Sequence, residues 1–130
     1  EIHAAIGLCI LPKVNFLIGA RKKASEIYDK LLPDLGRPLF KEETQLNYGY
    51  YPIILKNETQ VLKVMKALEK KDIFPRRYFY PSLNKLNYVT KYNCPISEDF
   101  SKRVLCLPMY ESLSKENVKK ISAIILKSLN

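Results

Sequence analysis

The residues best suited to chemistry form one short stretch in the middle of the chain, from Phe74 to Pro81. Within these eight residues lie two arginines, four aromatic residues and two prolines. An arginine presents a planar fork of N–H donors that fits a carboxylate or a phosphate, and aromatic rings offer flat contact faces. The stretch therefore predicts a site for a polar, ring-containing anion. The alternative is an edge strand whose rings pack on the core while its arginines lie in water.

Alternation along an extended segment divides the side chains of this stretch between two faces. It places Arg76, Tyr78 and Tyr80 on one face, and Arg77 and Phe79 on the other. We therefore expect only one of the two arginines to point into a site. An arginine paired with a surface acid is the structural alternative for either of them.

The composition limits the class of protein in which this stretch is displayed. A chain of 130 residues with 47% hydrophobic content is long enough for one domain with one core. The formal net charge of +9 is spread over every segment, so solvated helix faces explain it better than a nucleic-acid partner does. We expect no apolar run near the length of a membrane span, no signal peptide, no membrane association and a cytoplasmic location.

Cysteine and histidine usage argues against disulfides and metals. The three cysteines are far apart and form no CxxC pair, which indicates a reducing compartment. The single histidine, His3, cannot build a histidine zinc site, so we expect no metal. Glycine-rich phosphate loops, GxSxG and HExxH are also absent from the sequence. The residues by themselves thus predict an anion-binding surface without catalytic machinery.

The element at the start of the chain is a long helix. Apolar residues at helical spacing predict it over residues 2–32, with a kink near Pro12. Its first part is apolar on nearly every side, which indicates burial against something large. Because the chain offers little to bury it, and because Glu1 is not methionine and has no cap before it, we expect a truncated piece of a longer protein.

Short strands and helices alternate after this helix. We predict strands over residues 48–55, with Pro52 at an edge or bulge, and 104–107, a continuous apolar run typical of a strand covered on both faces. Residues 34–47 and 82–94 are predicted loops, the first with a possible short strand near Leu39. The predicted helices span 58–71, 97–103 and 115–129, and their predicted caps are Asn57 (with Gln60), Ser97 and Ser114.

Two helical stripes and one thiol complete the expected core. The inward residues are expected to be Val61, Leu62, Met65, Leu68, Val118, Ile121, Ile125 and Leu129, with Cys106 as an inert core thiol. The pattern as a whole predicts an α/β or α+β fold, in which a long kinked helix precedes a small sheet with helices on one face.

Six segments, taken in order, resemble a known family. They are EIHAAIGL at 1–8, NYGYYPI at 47–53, FPRRYFYPSL at 74–83, CPISE at 94–98, RVLCLP at 103–108 and LS at 113–114. In this order they are similar to segments of the DegT/StrS-type sugar aminotransferases, over essentially the whole chain. The RRYFYP form resembles members that aminate nucleotide-linked deoxy-keto-sugars.

This resemblance implies a pyridoxal-phosphate-dependent homodimer of the aspartate-aminotransferase fold. Such an enzyme moves an amino group from glutamate to a nucleotide-linked keto-sugar in polysaccharide or deoxysugar biosynthesis. The chain would be its carboxy-terminal small domain, residues 34–130, with residues 1–33 as the helix that links it to a large domain. The Schiff-base lysine and the other cofactor ligands would lie in that large domain. We therefore expect this chain alone to bind no pyridoxal phosphate and to be inactive.

The resemblance also implies a substrate site within the chain, made of Arg76, Arg77, Tyr78, Tyr80, Asn47 and Tyr48. Arg76 aligns with the family's arginine and would face either the amino donor's carboxylate or a phosphate of the sugar nucleotide. Tyr78 and Tyr80 would wall the sugar pocket, and Asn47 and Tyr48 would reach the same cleft. The alternative function is an anion- or sugar-nucleotide-binding regulatory module without catalysis.

Overall fold

The structure, a computed structural model, describes residues 1–78 and 80–130. Within them lie five α-helices, two 3-10 turns and a two-stranded sheet. The helices are α1 (Ile2–Ile10), α2 (Val14–Leu31), α3 (Glu58–Glu69), α4 (Pro95–Arg103) and α5 (Lys115–Leu129). The 3-10 turns are Leu11–Lys13 and Leu83–Lys85. The strands are β1 (Tyr51–Ile54) and β2 (Val104–Leu107).

The sheet is antiparallel and is extended on both sides by single bridges. Tyr51 lies opposite Leu107 in the β1–β2 ladder. Gly36 pairs with Ile54 on the outer side of β1, and Arg76 pairs with Cys106 on the outer side of β2. A Cβ atom at position 36 would lie 3.1 Å from the Cβ of Ile54, which explains why a glycine stands there. The Arg76 stretch is therefore held at the β2 edge of the sheet.

The helices cover one face of the sheet, as predicted. Tyr51, Ile53, Leu105 and Leu107 are buried in a single core with side chains of α2, α3 and α5. Side chains of directly opposed residues lie on the same face of a sheet. Pro52, Cys106 and Arg76 therefore share the opposite face, away from this core cluster. The helix-borne residues of the core are Ala24, Tyr28, Val61, Val64, Leu68, Val118, Ile121 and Ile125, and Leu32, at the end of α2, joins them.

Pro12 interrupts the first helix as predicted, through the 3-10 turn Leu11–Lys13. The expectation of no apolar run near the length of a membrane span was wrong. The segment Ile2–Leu31 stays helical through the turn and contains an 18-residue window of mean hydropathy 1.6, none of which is buried. By length and composition alone this helix could cross a membrane, but core helices and signal sequences have the same property.

The amino end of α3 confirms the predicted cap. The Asn57 side chain accepts a hydrogen bond from the Gln60 backbone N–H (2.9 Å), and the Gln60 side chain accepts one from the Lys56 N–H (3.0 Å). The predicted inward stripe was wrong at Leu62, which is 52% exposed, whereas Val64 is fully buried. Val64 lies three residues after Val61 on the inner side of the helix, and Leu62 lies one residue after it, on the wet side.

Other element boundaries differ from the prediction where a local signal was misread. Strand β1 begins at Tyr51 instead of residue 48, and Leu39 is 97% exposed and not in a strand. Helix α4 begins at Pro95, because a proline suits the first helical position. Ser97 therefore lies inside the helix, where its hydroxyl is 2.8 Å from that of Ser82.

Strand β2 and helix α5 follow the predicted pattern. Residues Leu105 to Leu107 are buried on both faces. The Ser114 hydroxyl accepts a hydrogen bond from the Asn117 N–H (3.2 Å), which caps α5. The predicted stripe of α5 faces the core, with Leu129 only partly buried.

Candidate functional site

Arg76 lies at the β2 edge of the sheet, on the face opposite the core. Its N–H donates to the Cys106 carbonyl and its carbonyl accepts from the Cys106 N–H, both at 2.9 Å. The side chain is exposed and lines a pocket of about 250 Å³. No carboxylate among the described residues forms an ion pair with its guanidinium. The pocket therefore contains a cationic fork that is available to an anion.

Two tyrosine rings stand beside Arg76 in the same pocket. The rings of Tyr50 and Tyr78 meet edge to face, with centroids 5.0 Å apart. Edge-to-face pairs of this kind hold ring orientation, so the pocket has a fixed aromatic wall. Tyr78 was among the predicted site residues and Tyr50 was not. Tyr50 could have been found from its position in the Asn47–Ile53 segment, which is one of the segments that resemble the family.

Arg77 and Tyr80 lie away from this pocket. One guanidinium nitrogen of Arg77 (Nη2) donates to a Glu58 carboxylate oxygen at 2.9 Å and to the Lys102 carbonyl at 3.3 Å. The guanidinium stacks 3.5 Å above the centroid of the Tyr80 ring. The hydrogen bond from Arg77 is the main cause that holds the pKa of Glu58 below its usual range.

The predicted grouping of Tyr80 with Arg76 and Tyr78 was therefore wrong. The alternation holds between Arg76 and Arg77. Among the described residues of the stretch, however, only Arg76 forms a bridge to β2, and Tyr78 lies in a turn. Strand periodicity does not extend past such a turn. Phe79, which we expected on the Arg77 face, lies outside the described residues.

Asn47 and Tyr48 line an adjoining groove of about 360 Å³ instead of the Arg76 pocket. The Asn47 side chain accepts a hydrogen bond from the Gly49 N–H at 2.9 Å. Tyr48 has φ of 51°, in the left-handed region. This tight turn places Gly49 and Tyr50 between the two cavities, so that both residues line both of them.

A polar network beside the groove ties α2 to the sheet. Arg37 contacts the carboxylate of Asp29 and the hydroxyl of Tyr51, and its guanidinium lies 3.7 Å from the Tyr51 ring centroid. The Tyr51 hydroxyl donates to Asp29 at 2.9 Å. Burial, and then this hydrogen bond, raise the pKa of Tyr51, which keeps its hydroxyl a donor. These residues position the floor of the groove, and no local sequence signal pointed to them.

The thiol of Cys106, beside the Arg76 side chain, is a poor candidate for a nucleophile. Cys106 lines the Arg76 pocket, but its thiol is buried and burial raises its pKa to about 11. A protonated thiol is a poor nucleophile at neutral pH. Within residues 1–78 and 80–130, no cluster of acidic, histidine or cysteine side chains is arranged to hold a metal ion.

The residues of this chain do not fit pyridoxal phosphate either. A lysine that holds such a cofactor as a Schiff base needs a desolvated or cationic neighbourhood that lowers its pKa. In the part of the chain that the structure describes, every lysine is exposed. None of these lysines therefore has the surroundings that such a Schiff base requires.

Curated relatives match this chain over nearly its full length. It is 32% identical to the dTDP-4-amino-4,6-dideoxy-D-glucose transaminase of Escherichia coli, over 97% of the chain and 37% of that protein. It is 33% identical to the GDP-perosamine synthase of Vibrio cholerae, over 100% of the chain and 37% of that protein. The chain therefore spans little more than a third of the length of these relatives.

Solved structures share the fold and the same partial coverage. The aminotransferase TlmJ from Streptoalloteichus hindustanus superposes with a TM-score of 0.87 at 21% identity, over 97% of this chain and 35% of that one. The Helicobacter pylori aminotransferase PseC, involved in the biosynthesis of pseudoaminic acid, gives 0.77 at 25% identity, over 98% and 36%. The profile of one family matches residues 1–126. The chain therefore belongs to the DegT/DnrJ/EryC1/StrS aminotransferase family.

Proposed function

We propose that the protein carrying this chain transfers an amino group from glutamate to a keto-sugar linked to a nucleotide. The observation that carries this proposal is the family match over residues 1–126. Relatives that align with nearly the whole chain support it, since their names specify products or substrates of the dTDP-, GDP- and UDP-linked amino-sugar class. The product belongs to polysaccharide or deoxysugar biosynthesis.

In this proposal the chain supplies the small domain of the enzyme, residues 34–130, and residues 1–33 form the helix that links it to the large domain. Pyridoxal phosphate, held by the large domain, supplies the electron sink for amino transfer. The chain alone is inactive, because its lysines are all exposed. The enzyme is a cytoplasmic homodimer with no nucleic-acid partner and no membrane attachment.

Arg76 is the residue that we assign to substrate binding with the strongest structural support. Its guanidinium has no ion-pair partner among the described residues and shares a pocket with the rings of Tyr50 and Tyr78. A guanidinium can bind a carboxylate or a phosphate through two parallel hydrogen bonds. It therefore binds either the carboxylate of the amino donor or a phosphate of the nucleotide, while the rings contact the sugar. Asn47 and Tyr48 contact the same substrate from the adjoining groove.

The test is steady-state kinetics of the full-length protein with Arg76→Ala. Losing one charge-assisted contact is expected to raise one KM by about 10- to 100-fold. A rise in the KM for glutamate assigns the donor carboxylate, and a rise in the KM for the sugar nucleotide assigns the phosphate. Lys63→Ala, which removes an exposed charge from α3, is the matched control and leaves both constants unchanged.

Two results contradict the proposal at different levels. A full-length protein that binds no pyridoxal phosphate refutes the aminotransferase assignment, and binding of a sugar nucleotide without turnover then supports a module without catalysis. Unchanged constants in Arg76→Ala, in an enzyme that does transfer amino groups, refute only the assignment of Arg76.

A further inference from the structure

We propose that Arg77 is a positioning residue, and that its ion pair with Glu58 directs Arg76 into the substrate pocket. This inference rests on the proposed function, because it takes Arg76 as the residue that binds the anion. It gives the two adjacent arginines different roles, although they are the same type of residue and neighbours in the chain.

Arg77 is tied down on the helix side of the sheet by three contacts from three parts of the chain. Its side chain is 12% exposed and donates to Glu58 in the first turn of α3 at 2.9 Å. It also donates to the carbonyl of Lys102 near the end of α4, at 3.3 Å, and stacks on Tyr80. A side chain held in this way has little freedom to turn toward a substrate on the other face.

The backbone of this stretch has few other supports. Among the described residues of this stretch, only Arg76 pairs with β2, and the hydrogen bond from the Tyr80 N–H to the Arg77 carbonyl is a long one at 3.3 Å. Adjacent side chains in extended backbone point to opposite faces. Fixing Arg77 on the helix side therefore fixes Arg76 on the pocket side. Without that anchor, the segment could rotate about the single bridge.

The charges agree with this division of roles. Glu58 balances the charge of Arg77, and the exposed side chain of Lys102 lies near enough to favour the ionised carboxylate further. Arg76 is left as the cation that faces the pocket, with no ion-pair partner in the described part of the chain. An anion entering the pocket therefore meets one arginine that is free to bind and does not meet its neighbour.

The experiment compares Arg77→Lys and Glu58→Gln with Arg76→Ala in the full-length enzyme. Lysine keeps the charge of residue 77 but loses the planar fork and the stacking. We expect Arg77→Lys to raise the same KM that Arg76→Ala raises, by about tenfold, with kcat nearly unchanged. Glu58→Gln keeps the shape of the side chain and removes its charge, so a smaller rise in the same constant is expected.

A double-mutant cycle separates positioning from a purely structural role. If Arg77 acts through Arg76, the Arg77→Lys effect disappears in the Arg76→Ala background. Calorimetric titration with dTDP, GDP, UDP and glutamate gives a second measure, the loss of binding affinity in each variant. Arg21→Lys is the matched control, because the Arg21 guanidinium also donates to a backbone carbonyl (Leu17, 3.3 Å) but lines neither the Arg76 pocket nor the adjoining groove.

Three outcomes overturn the inference. Effects of Arg77→Lys and Arg76→Ala that multiply in the double variant show that Arg77 acts independently. An equal rise in KM with Arg21→Lys shows a general loss of stability. Unchanged constants in both Arg77→Lys and Glu58→Gln show that the pair positions nothing. A silent Arg76→Ala is a different result, since it first refutes the proposed role of Arg76 itself.

Discussion

Cys106 illustrates how burial decides the chemistry of a residue at the edge of the pocket. It lies opposite Arg76 and lines the same cavity, but only 2% of it is exposed. Desolvation raises the pKa of its thiol to about 11. Cys106 thus serves as packing under the site.

This assignment predicts that native Cys106 resists alkylation. Because the folded-state pKa is about 11, only about one per cent of this thiol is ionised at a pH of about 9, where most of an ordinary thiol is thiolate. Since the residue is also only 2% exposed, its labelling should stay far slower than that of an ordinary thiol at every pH up to about 9. The measurement is peptide-resolved labelling with iodoacetamide, with denatured protein as the control in which Cys106 reacts. Labelling of native Cys106 as fast as that of an ordinary exposed thiol at the same pH would contradict the prediction.

At the scale of elements, helix α3 shows which contacts set its orientation. Its inner side consists of Val61, Val64 and Leu68, all fully buried, while Leu62 is 52% exposed. The carboxylate of Glu58 in its first turn reaches Arg77. The core that holds α3 in place therefore also fixes the position of Glu58, the ion-pair partner of Arg77.

A matched pair of substitutions in α3 tests this orientation. Val64→Ala removes two buried methyl groups and should lower the free energy of unfolding by about 2 kcal/mol. Leu62→Ala removes a larger but exposed group and should change it by less than about 0.5 kcal/mol. Hydrogen exchange of the α3 amides in the native protein measures both. A larger loss for Leu62→Ala would mean that the helix is rotated.

The elements that local chemistry encodes could be predicted from the sequence. Asn57 and Ser114 cap their helices, Pro12 interrupts the first helix, and the apolar run of β2 is buried. The sequence could not show that residue 76 pairs with residue 106, because such a bridge depends on contacts between distant parts of the chain. For the same reason, no local sequence signal indicated the ion pair between Glu58 and Arg77.

At the scale of the whole molecule, the two ends of the chain differ strongly in burial. The core takes in side chains of α2, α3, α5 and the sheet. Helix α1 has no buried residue, and its exposed side chains include Ile2 at 77% and Leu8 at 72%. Burying apolar surface stabilises by about 25 cal/mol per Å². An apolar helix left in water therefore needs a partner surface, and relatives almost three times as long as this chain have room for one.

We therefore expect α1 to be covered in the full-length protein, with Cys9 as its reporter. Cys9 is exposed in this chain, so it should react fast with a charged, water-soluble thiol reagent unless another surface lies over the helix. In the native full-length protein we expect labelling of Cys9 to be slow, and in denaturant fast. Fast labelling of the native protein would contradict coverage by its own large domain. Protection that develops only when lipid vesicles are added would instead support a membrane role for the apolar Ile2–Leu31 segment.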